Sequence, residues 1–483
     1  MATTEVRDSE PAEATQGSGV LFEQHYLDCL SQASYVVADR ATGRAVVVDP
    51  RRDVHEYLST AEEHGLTIEL VIETHFHADF LSGHLELAAA TGAEIALGPT
   101  AQAEYPHRSL SDGERIPLGE VTLEIRHTPG HTPESISIVV WEHPGDIDDP
   151  DGVPFGVLTG DTMFIGDVGR PDLLASFGVT ADELATSLYH SLHDQLLTLP
   201  DETKVFPGHG AGSACGKSLS TETVSTIGEQ RESNYALADM TPEAFIDVVT
   251  EGQRSAPGYF AHDAVLNRKS RELLDDEAGC DALELDRVLA LREEGALVID
   301  TRDQAAFAQG HVEGSVNIAL DGRFAEYAGS VVRPHEQIVL VSDPGTEVEA
   351  RTRLARIGFD EVAGHLDGPY RAMQQHPEHV ERASRLTADE FAQRRESVQD
   401  LLVLDVRGPA ETAEGMVEGA LEVPVGSMRD RLEELQDYSE RPVVVMCAGG
   451  YRSSIAASLL RSNGFTDVSD LMGGYAALEP AQT

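Results

Sequence analysis

Lysine is nearly missing from this chain. Lys204, Lys217 and Lys269 are the only three, so almost all of its 35 basic residues are Arg. Basic charge is also outnumbered, because 84 Asp and Glu bring the net charge to −49. Such a surface repels phosphate, which excludes nucleic acid as a partner. The acid is spread along the whole chain. That pattern, with lysine so scarce, suits a halophilic protein: near molar salt the Debye length falls to about 3 Å and self-repulsion fades. Cysteine is equally scarce. Cys29, Cys215, Cys280 and Cys447 are too few for a disulfide framework in 483 residues, which points to a reducing, cytoplasmic setting. No apolar run reaches membrane-spanning length, so no membrane partner is expected. Residues 1–19 are polar and acidic, with no basic or apolar leader segment, and read as a disordered tail. The length calls for about three domains.

What is present is a set of potential metal ligands at strand ends. Leu70-Val71-Ile72-Glu73-Thr74 reads as a buried strand running into His75-Phe76-His77-Ala78-Asp79-Phe80. Thr128-Pro129-Gly130-His131 introduces a strand, Leu158-Thr159-Gly160-Asp161 ends one, and Phe206-Pro207-Gly208-His209 ends another. Neutral imidazoles with a carboxylate suit zinc or non-haem iron. In this order and spacing the motifs resemble the metallo-β-lactamase superfamily over roughly the first 270 residues. That resemblance implies an αββα sandwich. It also exposes a departure, since Phe80 stands where a two-metal hydrolase of the family has a histidine. The second site would keep only Asp79, His209 and a share of Asp161.

The pattern along the chain is α/β throughout. A hairpin is expected around Ala41-Thr42-Gly43, a helix over Leu85–Ala90, a strand over Ser135–Val140 and an acidic loop over His143–Gly152. Residues from about Ser220 to Leu274 read as helix-rich, and Asp275–Asp281 as a linker. An internal repeat follows. Leu297-Val298-Ile299-Asp300-Thr301-Arg302 matches Leu402-Val403-Leu404-Asp405-Val406-Arg407 at an offset of 405 − 300 = 105, and Val312-Glu313-Gly314 matches Val417-Glu418-Gly419. Two copies of one α/β domain are expected, joined by Pro377–Leu386.

The second copy holds Cys447-Ala448-Gly449-Gly450-Tyr451-Arg452-Ser453 between a buried strand and a helix. Loop amides, the helix N-terminus and Arg452 would together stabilise a thiolate or persulfide. This loop, with Asp-x-Arg, Glu418-Gly419 and Met472-Gly473-Gly474-Tyr475, resembles the rhodanese family. By that resemblance Cys447 carries sulfur, Arg452 assists, and Gly449 and Gly450 line the substrate. A cysteine phosphatase uses a similar loop, but the six-membered run from Cys447 to Arg452 favours sulfur transfer. The first copy should be silent, since Ser342 and Glu347 fall where Cys447 and Arg452 would be. The expected domains are 20–274 (metallo-β-lactamase-like), 284–378 (rhodanese-like, inactive) and 386–483 (rhodanese-like, active).

The combination resembles persulfide dioxygenase–rhodanese fusions. It implies oxidation of a low-molecular-weight thiol persulfide by O2 to sulfite at one Fe(II) per chain. The implied ligands are His75, His131 and Asp161, with His77, Asp79 and His209 second-shell or vestigial. Gly166–Asp172 matches the fusion relatives. Within it Arg170 is a candidate contact for the substrate or a ligand, with a structural pair to Asp172 as the alternative. The Gly-rich run Gly210–Lys217 reads equally as a thiol-pocket lining or a plain turn. Thiosulfate is an expected sulfane-sulfur donor, and a homo-oligomer is an open option. Two other readings stand beside this one: a two-Zn2+ thioester hydrolase of the hydroxyacylglutathione type, and a sulfur-carrier scaffold.

Overall fold

The computed structural model describes residues 19–173, 178–253, 256–275 and 278–478. The expected tail therefore lies outside the described residues, apart from Gly19. The chain forms two compact units. One comprises 1–256 with 260–274, the other 257–259 with 275–483.

The first unit is a sandwich of two six-stranded sheets. One runs, in spatial order, Val20–Leu27, Gln32–Asp39, Arg44–Val48, Thr67–Ile72, Glu94–Leu97, Arg108–Ser109. The other runs Ser225–Thr226, Lys204–Pro207, Gly156–Gly160, Ile136–Trp141, Thr122–His127, Arg115–Pro117. Alternation of side chains builds the layers. Tyr35, Val37, Val46 and Val48 point into the core between the sheets, where they meet Ile136, Ile138, Leu158 and Phe206. Their neighbours Val36, Ala38, Ala45 and Val47 pack outward against Tyr57 and Ala61 of the helix His55–His64. Val139, Val157 and Val205 of the second sheet pack against Ala185 and Leu188 of the helix Ala181–His190. The order is helix, sheet, sheet, helix, so central strands such as Gln32–Asp39 and Ile136–Trp141 are buried on both faces, whereas the edge strands Arg108–Ser109 and Arg115–Pro117 keep exposed residues.

Local signals match their elements. Gly43 turns the hairpin at φ +69°, where a Cβ would be strained. The helix after the first motif spans His84–Thr91, and the strand after the second spans Ile136–Trp141.

The second unit contains both repeats. One five-stranded sheet runs Ala282–Leu283, Val362–Leu366, Ile338–Val341, Leu297–Asp300, Val316–Asn317. The other runs Ser384–Leu386, Val468–Leu471, Val443–Met446, Leu402–Asp405, Leu421–Glu422. All pairings within the two are parallel. The Asp-x-Arg pairs repeat as well. Arg302 Nε donates to Asp300 at 2.9 Å and Arg407 Nε to Asp405 at 3.0 Å. Each arginine then reaches a glycine carbonyl, Gly310 at 2.9 Å and Gly415 at 2.6 Å. Such buried ions persist because both partners and the remaining donors are satisfied. The segment Pro377–Leu386 is built into both repeats: Val380–Glu381 pairs with His311–Val312, and Ser384–Leu386 with Ser469–Leu471.

Candidate metal centre and cysteine loop

Four strands deliver the ligand candidates from their C-terminal ends. His75 follows Thr67–Ile72, His131 follows Thr122–His127, Asp161 follows Gly156–Gly160, and His209 follows Lys204–Pro207. The last two strands are parallel neighbours, so Asp161 and His209 emerge side by side. The sheets are tied here by the Ile136 amide, which donates to the Thr74 carbonyl at 2.9 Å. Gly160, at φ +49°, permits the close approach, because a Cβ there would stand 2.6 Å from Thr74 Oγ1.

His75, His131 and Asp161 form a buried group whose ligand atoms all lie within 4.8 Å of one another. The hydrogen bonds fix the tautomers. Thr74 Oγ1 donates to Asp49 Oδ2 at 2.8 Å, which uses its only proton. Its oxygen is then left to accept from His75 Nδ1 at 2.9 Å. The Arg170 carbonyl, which can only accept, lies 2.9 Å from His131 Nδ1. Both imidazoles therefore carry their proton on Nδ1 and present an Nε2 lone pair. Those lone pairs converge on Asp161 Oδ2, at 3.8 Å from His75 and 3.5 Å from His131. His75 Nε2 and Asp161 Oδ2 are buried with no hydrogen-bond partner among the described residues. Three acceptors facing each other without a proton repel unless a cation sits between them, so this donor set fits a metal ion. Burial, with the charge of neighbouring His77, holds His75 well below the usual histidine range, and burial lowers His131 too. Burial opposes ionisation of Asp161, but His209, hydrogen-bonded to its other oxygen at 2.8 Å, outweighs it and keeps it an anion.

His77, Asp79 and His209 are placed differently. His77 Nε2 turns to Asp49 Oδ1 at 3.1 Å and Glu73 Oε2 at 3.5 Å. Burial opposes its charge, but the two carboxylates prevail and raise it well above the usual range. Glu73 is shared with His84 Nδ1 at 3.2 Å. The Phe80 ring lies against His77, with centroids 4.3 Å apart. His209 spans two carboxylates, with Nδ1 2.8 Å from Asp161 Oδ1 and Nε2 2.6 Å from Asp79 Oδ2. Burial disfavours its cation, yet these carboxylates raise it to about 10. Cys215 joins this group, within 4.8 Å of Asp79 and His209 ligand atoms. Burial, with Asp79 and Asp161 nearby, pushes its thiol well up. Three potential cation-binding groups thus lie among the described residues, the third being Asp49, Glu73 and His77. The Arg170 guanidinium is engaged with Asp172 through two 2.7 Å bonds, and it is the Arg170 main chain that touches His131.

In the second unit Cys447 follows Val443–Met446 and is buried. The Gly450 amide donates to its sulfur at 3.1 Å, and Ser453 Oγ lies 3.6 Å away. Gly450, at φ +98°, turns the chain into the helix Tyr451–Ser462, whose N-terminus adds positive potential beside the sulfur. A Cβ on Gly449 would meet nothing within 4 Å. Gly474, at φ +58°, lies so close that a Cβ would collide with the Cys447 carbonyl, which explains the glycine pair before Tyr475. Both Arg452 terminal nitrogens reach Glu411, at 2.6 Å each. In the first repeat Ser342 Oγ accepts from Thr301 Oγ1 at 2.8 Å, and Glu347 accepts from the Gly345 amide at 2.7 Å. That repeat presents neither a thiol nor a cation at these positions.

The network around His77 escaped sequence reading. So did Cys215, which read as one of several residues in a Gly-rich loop. Asp49 carried a usable signal, an acidic residue at the end of a buried strand, but nothing in the sequence brings it to His77.

Comparison with known proteins agrees with this layout. The family described as metallo-beta-lactamase superfamily matches residues 27–209, and that described as rhodanese-like domain matches 284–376 and 387–481. The chain is 29% identical over 237 residues to persulfide dioxygenase ETHE1, mitochondrial, of Bos taurus, covering 48% of this chain and 82% of that protein. It is 29% identical over 278 residues to a beta-lactamase hydrolase-like protein of Agrobacterium fabrum, covering 50% of this chain and 59% of that one. The crystal structure of a metallo-beta-lactamase from Staphylococcus aureus is similar at 33% identity and a TM-score of 0.64, covering 72% of this chain and 98% of the other. That match takes in more of the chain than the first unit contains.

Proposed function

The chain belongs to the metallo-β-lactamase superfamily, with two rhodanese-like domains after its sandwich, and from that membership we propose a two-site sulfur enzyme. The first site oxidises a low-molecular-weight thiol persulfide with O2 to sulfite at a single Fe(II) held by His75, His131 and Asp161. The second carries sulfane sulfur on Cys447. The observation that carries the reading is the convergence of three buried acceptor atoms, with both imidazole tautomers fixed. The similarity to a persulfide dioxygenase supports the choice of reaction.

The bound ion would supply the redox chemistry with O2. The chain's own residues prepare the site. Asp49 and Thr74 orient His75, the Arg170 carbonyl orients His131, and His209 keeps Asp161 ionised. Burial keeps bulk water from the ligand atoms. The net reaction, RSSH + O2 + H2O → RSH + SO3²⁻ + 2H⁺, takes four electrons from the outer sulfur. One metal is favoured over two. Phe80 offers no ligand for a second ion, and His77 Nε2 lies against Asp49 and Glu73 instead. A two-zinc thioester hydrolase would need ligands at both positions, so that reading is weaker.

At the second site the Cys447 thiolate would attack the sulfane sulfur of thiosulfate, releasing sulfite and leaving a persulfide that a thiol acceptor removes. Exchanging the two sites by mutation tests the division. Cys447→Ser should abolish sulfur transfer from thiosulfate yet still oxidise added persulfide, and His131→Ala should show the converse. A Cys447→Ser protein that keeps its iron but loses persulfide oxidation would refute the two-site reading.

A further inference from the structure

The helix that opens from the Cys447 loop is seated on the silent repeat. Ser454 Oγ donates to Asn317 Oδ1 at 2.7 Å, and the Asn317 amide donates to Ser458 Oγ at 2.9 Å. Asn317 is itself anchored, its Nδ2 donating to the carbonyls of Asp300 at 3.1 Å and Arg302 at 2.8 Å. Tyr451 Oη donates to the Ala319 carbonyl at 2.5 Å. All these groups are buried or half-buried and paired, so the silent repeat fixes the start of the helix and, with it, the loop that presents the sulfur.

One side chain of the silent repeat goes further. Tyr327, on the helix Phe324–Val331, lays its ring 5.2 Å from that of Tyr451. Tyr451 follows directly on Gly450, whose amide touches the Cys447 sulfur. Tyr327 lies within electrostatic reach of both Arg452 and Cys447. Its hydroxyl makes no hydrogen bond among the described residues, and burial keeps it protonated, with Arg452 opposing only in part. Arg452, meanwhile, has both terminal nitrogens on Glu411, so much of its charge is already balanced. An anionic donor at this loop would gain from a further hydrogen-bond donor close to the one the Gly450 amide supplies.

We propose that Tyr327 of the silent repeat belongs to the Cys447 site, where its hydroxyl binds the sulfonate oxygens of an anionic sulfur donor such as thiosulfate. The inference rests on the reading of Cys447 as a sulfur carrier. In the step, the Cys447 thiolate forms a bond to the sulfane sulfur, the S–S bond of thiosulfate breaks, and sulfite leaves with the electron pair. The Tyr327 proton stays on its oxygen and steadies the departing charge. The silent repeat thereby has a role in substrate recognition although Ser342 and Glu347 stand at its own positions for the cysteine and arginine.

The test is Tyr327→Phe in the full chain, which keeps the ring against Tyr451 and removes one hydroxyl. A hydrogen bond to a charged oxygen predicts a KM for thiosulfate raised about tenfold or more, with a much smaller change in kcat. The KM for an alkyl persulfide, which carries no sulfonate, should rise far less. A readout independent of transfer is alkylation of Cys447, followed by mass spectrometry. The rate ratio of anionic iodoacetate to neutral iodoacetamide should fall several-fold in Tyr327→Phe, at unchanged melting temperature. An unchanged ratio overturns the proposal, as does a thiosulfate KM equal to that of the wild type. If the wild-type protein transfers no sulfur at all, the functional reading fails, and the alkylation ratio still decides whether Tyr327 recognises anions at Cys447.

Discussion

Replacing Thr74 by Val tests the ligand geometry at its least obvious point. The substitution keeps the shape and removes a hydroxyl that does two things. It donates to Asp49 at 2.8 Å and accepts from His75 Nδ1 at 2.9 Å. Valine leaves the Nδ1–H buried without a partner, at a cost of about 1–3 kcal/mol, and Asp49 loses one of its donors. The imidazole can then escape by moving its proton to Nε2, where it faces Asp161 and blocks ligation. Loss of such an orienting partner lowers metal affinity by about 10- to 100-fold, which is about 1.4–2.7 kcal/mol. The assay is an anaerobic competition titration against a chromophoric chelator, with a thermal melt of the metal-free protein alongside. Thr74→Val should bind at least about tenfold more weakly, and Thr74→Ser, which keeps the hydroxyl, should bind close to wild type. A valine variant with wild-type affinity would show that the Asp49–Thr74–His75 chain does not set the site.

Two further outcomes follow. Phe80→His should raise zinc content toward two ions per chain, measured by mass spectrometry of the metal, because it adds an imidazole beside His77 and Asp79; unchanged stoichiometry would show that residue 80 is not what limits a second metal. Charge repulsion at −49 predicts that the melting temperature climbs between dilute buffer and molar KCl by about 5 °C or more, since in domains of this size about 1 kcal/mol moves it by 2–4 °C. A flat melting temperature would contradict adaptation to salt.

Much of the architecture is legible in the sequence because its signals are local. Apolar runs ending in His-x-His-x-Asp, Gly-Asp and Pro-Gly-His mark strand ends, and the 105-residue offset aligns the central strands of both repeats, Leu297–Asp300 with Leu402–Asp405 and Ile338–Val341 with Val443–Met446. The rest depends on contacts between distant residues. His77 reads as second-shell or vestigial, but nothing in its spacing brings in Asp49, from a different strand end, against which its nitrogen lies. Cys215 reaches Asp79 and His209 only after the loop that follows Pro207 has folded back. Arg170 reads as a side-chain contact, whereas its carbonyl does the work on His131. Asn317 and Tyr327 carry no motif, and their part in the Cys447 loop comes from the packing of one repeat on the other.

Metal content and oxygen consumption, measured together on full-length protein purified without air, test the central claim most directly. The account predicts close to one Fe(II) per chain, with one O2 consumed and one sulfite formed for each thiol persulfide supplied. Two tightly bound zinc ions, with thioester hydrolysis and no oxygen uptake, would contradict it.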